Sequence, residues 1–199
     1  RFAESVEEEM GRLGRLVESF LTLSRIRDGR GLTRFRAYNV NDLVMDSVDN
    51  CRKMAEQHHV RLEPELLDGD RGIDAAVSGE PELLRTMVDN LVRNAIRFSS
   101  NAGIVRVRAE LPADSMDHVH IAIADRGPGI PADRLKTIFD RFAQAPTQRH
   151  GRGHGLGLTI AMGIAELHGG TIAAENAPGG GCRFTAVLPL RLAETPVTT

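Results

Sequence analysis

The sequence predicts an α+β fold, a two-layer sandwich in which helices cover one face of a mixed sheet, preceded by a long coiled-coil-like helix. Long segments carry apolar residues at every third or fourth position, as amphipathic helices do. Short segments alternate apolar with polar residues, as half-buried strands do. The short segments come in pairs with helical segments between them, which favours a single sheet covered by helices.

The composition excludes several classes of protein. With 199 residues, 41% of them hydrophobic, the chain can build a packed core. The net charge of -2 gives no reason to expect nucleic acid as a partner. No apolar stretch approaches the length of a membrane span. Cys51 and Cys182 lie far apart in sequence, which predicts ordinary thiols in a reducing compartment and no metal site. We therefore expect a soluble, cytosolic chain.

The first predicted element is a helix over residues 2–27 within a segment spanning 1–31. Its apolar residues form a coiled-coil-like seam widened by three leucines: Phe2, Val6, Met10, Leu13, Val17 and Phe20, with Leu16, Leu21 and Leu23 beside them. Glycines at 29 and 31 end the helix. Because one helix cannot bury such a seam, we favour a partner helix. Packing on the chain's own domain is the alternative.

A connector at residues 32–38 leads to a globular domain at 39–191. Asn41 is the expected N-cap of a helix that ends near Gln57. A second helix opens at Glu80-Pro81-Glu82, where proline suits the first turn. The expected inner faces are Leu43, Val44, Val48 and Cys51 in the first helix, and Leu83, Leu84, Met87, Val88, Leu91, Val92 and Ala95 in the second.

Strands are expected at residues 60–62, 75–77, 105–111 and 119–123, followed by a terminal hairpin of 171–175 and 183–188. Residues 140–153 have almost no apolar anchors, so we predict a mobile loop there. Residues 192–199 are the expected flexible tail.

A glycine run, Gly151-Arg152-Gly153-His154-Gly155-Leu156-Gly157-Leu158, precedes a predicted helix over residues 159–168. Glycine at every second position lets a backbone approach a ligand closely. The N-terminus of the helix offers free N–H groups and a positive dipole end to an anion. The spacing matches neither a Rossmann turn nor a P-loop. Taken alone, the run is equally consistent with a phosphate cradle and with a plain glycine loop.

Two further blocks carry polar residues suited to a nucleotide. Asn90 and Asn94 share one helix face, and Arg97 and Phe98 follow within a turn. Amide oxygens suit magnesium, although two solvated asparagines would show the same pattern. Asp125-Arg126-Gly127-Pro128-Gly129-Ile130 follows an apolar strand, so it either presents a carboxylate at a pocket lip or forms a simple turn.

The fourth block is Ile138-Phe139-Asp140-Arg141-Phe142, whose phenylalanines are either hinges of the loop or core anchors. In this order and at these separations, the blocks resemble the N, first glycine, F and second glycine boxes of sensor histidine kinases, which belong to the wider GHKL group. The resemblance covers about residues 39–190 and implies a GHKL (Bergerat-type) sandwich. The helix at 2–27 resembles the second helix of the dimerisation and phosphoacceptor hairpin.

The resemblance implies a role for each matching residue. Asn94 would hold a Mg²⁺ ion that bridges the ATP phosphates, with Asn90 assisting. Arg97 would contact phosphate, Phe98 would lie against the base or ribose, and Asp125 would accept a hydrogen bond from the adenine amine.

The glycine blocks receive implied roles as well. Gly127, Gly129 and Ile130 would accommodate the adenine ring. A lid of residues 140–157 would close over the triphosphate, and Gly153, Gly155 and Gly157 would let it fold. The resemblance also implies nucleotide contacts for His154, Leu156 and Leu158.

The residue at position 90 distinguishes the kinases from the ATPases of the GHKL group that this chain resembles. GHKL ATPases carry a glutamate four residues before the magnesium asparagine, where it activates water. An amide cannot serve as a general base near neutral pH. Phosphoryl transfer to a good nucleophile such as imidazole needs positioning and charge neutralisation more than a strong base. The site therefore suits kinase chemistry better than hydrolysis.

None of the seven histidines stands in the sequence context of a phosphoacceptor. We expect the acceptor histidine to lie outside this chain, either upstream in the same protein or on another polypeptide. The implied partners are that hairpin, a response regulator and a second copy joined through the N-terminal helix, in the cytosolic part of a membrane-anchored sensor. The alternatives are a nucleotide-binding regulatory module without kinase activity and a GHKL ATPase.

Overall fold

The computed structural model describes residues 2–27, 35–68, 75–100, 102–113, 117–140 and 155–191. The helices are α1 (Phe2–Arg27), α2 (Val40–Gln57), α3 (Pro81–Phe98) and α4 (Gly157–Leu167). The strands are β1 (Arg36–Asn39), β2 (Arg61–Glu65), β3 (Ala76–Gly79), β4 (Ile104–Glu110), β5 (His118–Ala124), β6 (Thr171–Asn176) and β7 (Cys182–Arg191). Within these segments, none of the helices combines the length and apolar character needed to cross a membrane.

The strands form one mixed sheet in the order β1-β3-β7-β5-β4-β2, and β6 also pairs with β7. β7 is the longest strand and joins the sheet together, because it pairs with β3, β5 and β6. Among the described pairings, β2 with β4 is parallel and the others are antiparallel. The predicted mixed sheet is confirmed, as is its terminal β6–β7 hairpin.

The helices cover one face of this sheet, as predicted. Along β4, Val105 and Val107 are buried beneath the helices, whereas Arg106 and Arg108 are exposed on the outer face. On that outer face, the arginines form a ladder of exposed ion pairs with glutamates of β2. Such pairs contribute little stability, so packing on the inner face holds the layers together. α3 contacts both α2 and α4 and lies at the centre of the helical layer.

The start of the domain differs from the prediction. β1 begins inside the predicted connector at residues 32–38 and ends one residue beyond it, and it is an edge strand too short to show an alternating pattern. Asn39, rather than Asn41, caps α2, because its extended backbone lets its side chain accept from the N–H groups of Asn41 and Asp42. The side chain of Asn41 instead forms two bonds with the backbone of Leu67, at 2.9 and 3.1 Å.

Helix α1 is present as predicted, and its apolar residues divide between two faces. Leu16, Leu23 and Ile26 pack against the core of the domain. Ile26 Cγ2 lies only 3.2 Å from the position that a Cβ on Gly163 of α4 would occupy. On the other face the large apolar side chains are 53–70% exposed: Met10, Leu13, Val17, Phe20 and Leu21. The side chains of Phe2 and Val6 lie outside those described, and a coiled-coil partner stays a prediction.

His168 connects α4 to the beginning of the domain. It is buried at the C-cap of α4, where its Nδ1 bonds the carbonyl of Ile164 at 2.7 Å. The backbone N–H of Glu80 donates to its Nε2 at 3.2 Å, so Nε2 must be the unprotonated nitrogen. Phe35 stacks on the ring with centroids 5.1 Å apart. These contacts require a neutral imidazole.

Burial lowers the pKa of His168 below its usual range. The unfolded chain therefore binds this proton more readily, and the stabilisation is present above about pH 6.5 and lost as the pH falls below it. We predict that His168→Gln reduces the slope of unfolding free energy against pH between pH 7 and 5, by up to about 1.4 kcal/mol per pH unit. Urea titrations across this range measure the effect.

Burial raises the pKa of Asp89 and of Asp125, which favours stability at lower pH. Both carboxylates are present in wild type and in His168→Gln, so their contributions cancel when the two pH profiles are subtracted. A constant offset between wild type and His168→Gln at all pH values would contradict the prediction.

Candidate functional site

Helix α3 and the start of α4 bring two of the predicted blocks together. Asn90 and Asn94 lie one turn apart on α3 and both are half-buried, so neither is simply solvated. The Nδ2 of Asn90 donates to the carbonyl of Thr86 at 2.9 Å, which fixes the amide. Its Oδ1 lies 3.0 Å from the position of a Cβ on Gly157. The first residue of α4 therefore packs directly against the asparagine face.

The C-terminal turn of α3 adds a positive charge and an aromatic ring. The guanidinium carbon of Arg97 lies 5.2 Å from the centroid of the Phe98 ring, a cation–π geometry. Burial lowers the pKa of Arg97, yet an arginine stays charged in proteins. A partly desolvated guanidinium is suited to an anionic ligand such as phosphate.

Asp125 follows β5 and is only 5% exposed. Its Oδ1 accepts from the N–H of Gly127 at 2.7 Å and from the N–H of Cys182 at 3.3 Å. Burial raises the pKa of Asp125, and these two backbone bonds counter that rise by favouring the ionised form. The predicted Asp-x-Gly turn exists, and it holds a buried carboxylate whose bonds to both N–H groups end on one oxygen.

The loop after β5 packs tightly against the end of α3. A Cβ on Gly127 would clash with the carbonyl oxygen of Phe98 and would lie 2.9 Å from Oδ1 of Asp125. Only glycine permits this approach, so Phe98 and Asp125 become neighbours across two segments. Further along the loop, Gly129 has a φ of +76° and the backbone of Ile130 bonds Asn176 at the end of β6.

The glycine run lies partly outside the described residues. Gly153 and His154 are among the residues not described, as is most of the predicted mobile loop. Gly155 has a φ of +68°, and α4 begins at Gly157, two residues before the predicted start. Leu156 is 2% exposed within the core and Leu158 packs against it. These two side chains anchor the start of α4, so Leu156 can offer a ligand only its backbone.

The segment that enters the loop is anchored as well. Phe139 packs edge-on against Phe184 with ring centroids 6.4 Å apart, so it is a core anchor. Its carbonyl accepts from the hydroxyl of Thr159 at 2.8 Å, which ties this segment to the first turn of α4. Phe142, the other phenylalanine of that block, lies outside the described residues.

The sequence profile of the histidine kinase-, DNA gyrase B- and HSP90-like ATPase family matches residues 79–192. The chain belongs to this family. The match includes α3, the loop after β5, α4 and the terminal hairpin, which together hold every described residue of the candidate site. Membership of this ATPase family implies that the domain binds ATP.

Relatives of this family member are sensor histidine kinases. Signal transduction histidine-protein kinase AfsQ2 of Streptomyces coelicolor is 37% identical over 187 residues, which cover 92% of this chain and 32% of that protein. Sensor-like histidine kinase SenX3 of Mycobacterium tuberculosis is 31% identical over 191 residues, covering 95% of this chain and 45% of that protein. The chain thus spans between a third and a half of these two curated relatives.

Solved structures with similar folds include sensor histidine kinases. The mycobacterial sensor histidine kinase MprB superposes with a TM-score of 0.68 at 26% identity, covering 80% of this chain and 100% of that one. Full-length ShkA in complex with AMPPNP superposes with a TM-score of 0.80 at 23% identity over 98% of this chain and 40% of that one, which shows the fold alone. The predicted sandwich and the predicted resemblance to a sensor histidine kinase catalytic domain are confirmed.

Sequence reasoning missed two residues that hold this ATPase-family site together. Thr159 bonds the backbone of Phe139, and Asn176 bonds the backbone of Ile130. Thr159 stands in the first turn of a helix, where a hydroxyl often bonds backbone, so its position offered a weak signal. Asn176 offered none beyond its place at the end of a strand.

Gly127→Ala tests the close approach between the loop and α3. We predict that it lowers the free energy of unfolding by about 1–3 kcal/mol, because the added methyl group must displace backbone rather than a flexible side chain. Denaturant unfolding without nucleotide measures this. Gly14→Ala on α1 is the matched control, since nothing lies within 4 Å of its Cβ position. Equal stability of Gly127→Ala and wild type would contradict the packing described.

Proposed function

We propose that the chain is the ATP-binding catalytic part of a sensor histidine kinase. It binds Mg-ATP and transfers the γ-phosphoryl group to a histidine outside this chain, from which a response regulator takes it. The convergence of two segments on α3 supports this most strongly. Gly157 of α4 meets Asn90, and Gly127 of the loop after β5 meets Phe98.

The end of the site near Asp125 receives the adenine base in this proposal. The two backbone bonds to Oδ1 orient the carboxylate, and its other oxygen accepts a hydrogen bond from the exocyclic amine of adenine. Gly127 keeps the loop against the backbone carbonyl of Phe98, and the ring of that residue would offer an apolar surface for the base or ribose. The charge of Arg97 lies at this same turn of α3 and is directed to a phosphate.

The asparagine face of α3 receives the phosphates and a Mg²⁺ ion. Mg²⁺ prefers hard oxygen donors and binds few protein groups when phosphates supply the others, which fits amide oxygens one helical turn apart. Among the described residues, no group of three or more His, Cys, Asp or Glu could form a separate metal site. Asn94 would hold the ion and Asn90 would assist; the bound ion neutralises phosphate charge. The lid proposed for residues 140–157 would close over the triphosphate, with Leu156 staying in the core and offering only its backbone.

The chemistry around Asn90 favours transfer over hydrolysis. Its amide is engaged with the carbonyl of Thr86 and cannot take a proton from water. The adjacent carboxylate, Asp89, is 8% exposed and accepts a hydrogen bond from Asn50 of α2, whereas Asn90 contacts Gly157 of α4. Neither residue can activate water at the phosphate end. Transfer to an imidazole needs no such base.

The exposed face of α1 is the proposed contact with a second copy in the full protein. Met10, Val17 and Phe20 lie on this face, opposite the side that packs against the domain. An apolar helix face of this kind is covered in a helical hairpin or bundle. We propose that the chain acts in the cytosolic part of a membrane-anchored sensor.

Phosphoryl transfer tests the proposed function directly. The chain, Mg-ATP labelled at the γ-phosphoryl and a separate phosphoacceptor hairpin should give labelled hairpin, and Asn94→Ala should reduce that labelling at least a hundredfold because the ion loses its ligand. Glu82→Gln, an exposed change on the same helix, is the control. ATP binding without labelling would favour a regulatory module, and steady phosphate release without acceptor would favour an ATPase.

Asp125→Asn tests the base end separately. We predict that it weakens binding of both ATP and ADP by about 1–3 kcal/mol, because both share the adenine amine that the carboxylate accepts from. Isothermal titration calorimetry measures the two affinities. Asp133→Asn, an exposed change in the segment after the loop, should bind as wild type does. Unchanged affinity in Asp125→Asn would rule out this carboxylate as the group that recognises adenine.

A further inference from the structure

We propose that Asn176, the last residue of β6, is a positioning residue for the nucleotide. It holds the far end of the loop that follows β5, so that the base pocket is formed before the ligand arrives. The inference rests on the proposed function, since it concerns the same site. Asn176 acts through Ile130 and Gly129.

The amide of Asn176 binds both polar groups of one backbone residue. Its Nδ2 donates to the carbonyl of Ile130, and its Oδ1 accepts from the N–H of Ile130, each at 2.7 Å. Two such bonds reproduce what a neighbouring strand offers to a residue in an antiparallel pair. The loop from Asp125 to Ile130 belongs to no strand in the described structure, so this side chain supplies the partner that regular pairing would have supplied.

Gly129 makes this contact possible. Its φ of +76° is a conformation that other residues rarely adopt. A Cβ at this position would also lie 2.8 Å from Oδ1 of Asn176 and 3.3 Å from the carbonyl oxygen of Gly181. The glycine therefore turns the chain toward the hairpin and leaves room for the amide.

The same hairpin holds the other end of the loop. β6 and β7 pair Asn176 with Cys182, and Cys182 exchanges hydrogen bonds with Asp125. Gly181, with a φ of +90°, packs against the backbone of Asp125 so closely that a Cβ would clash. One end of a single hairpin thus fixes both Asp125 and Ile130, and Gly127 lies between these two anchors against α3.

Asn176 is exposed, which separates its effect on the pocket from its effect on folding. Removing it leaves no buried polar group without a partner, so the loss of global stability is small. The loop, however, keeps only the anchor at Asp125, and the free end must be ordered when nucleotide binds. Ordering a segment on binding lowers affinity.

The test compares Asn176→Ala and Asn176→Asp with wild type by calorimetry of Mg-ATP and Mg-ADP. We expect Asn176→Ala to raise the dissociation constants of both nucleotides by the same factor, about tenfold, with unchanged binding stoichiometry. Asn176→Asp should be at least as weak, because an oxygen then faces the carbonyl of Ile130 in place of a donor. Glu175→Gln, which removes only an exposed ion pair with Arg183, is the matched control and should bind as wild type does.

Amide hydrogen exchange without nucleotide gives a second readout. The N–H of Ile130 should exchange faster in Asn176→Ala, while that of Gly127, held by Asp125, should not change. Wild-type affinity in Asn176→Ala, or a fall in binding stoichiometry at unchanged affinity, would overturn the positioning role and leave the proposed function standing. A wild-type chain that binds neither nucleotide would overturn both.

Discussion

The site depends on how closely the loop after β5 approaches two other backbones. Gly127 brings it against the carbonyl of Phe98 at the end of α3, and Gly181 brings the terminal hairpin against Asp125. Neither position has room for a Cβ. These contacts join the helical layer, the loop and the sheet, and every proposed base contact follows from them. The glycines of this block therefore shape the protein itself before any ligand is considered.

Polar groups around α3 divide between two sides of the helix. Asn90 faces α4, whereas Asp89 faces α2 and accepts from Asn50. In the proposed function, the helix presents amides to the phosphates and keeps its nearest carboxylate buried toward α2. In the proposed function, magnesium would bind neutral amide oxygens there, and no general base would be available to activate water. We propose that the side chain at position 90 decides, in this domain, between kinase and ATPase chemistry.

The core of this arrangement could be predicted from sequence, because periodicity reports which face of an element is buried. Pro81 and the apolar stripe located α3, and the alternation along β4 and β5 located the central strands. Local chemistry misled at the start of α2, where Asn41 was the expected cap and Asn39, two residues earlier, provides it. Contacts between distant segments leave no periodic signal, so the Asn176–Ile130 clamp and the division of α1 between two faces appear only in three dimensions.

A high-resolution crystal structure of the chain with Mg-ADP would show where the base and the metal bind. We expect the adenine amine within about 2.7–3.2 Å of the carboxylate of Asp125, with the metal on the amide oxygen of Asn94 and the adenine ring beside Phe98. We also expect the Asn176–Ile130 bonds to be the same with and without nucleotide. A nucleotide bound elsewhere, or one whose base lies away from Asp125, would show that the proposed site is wrong.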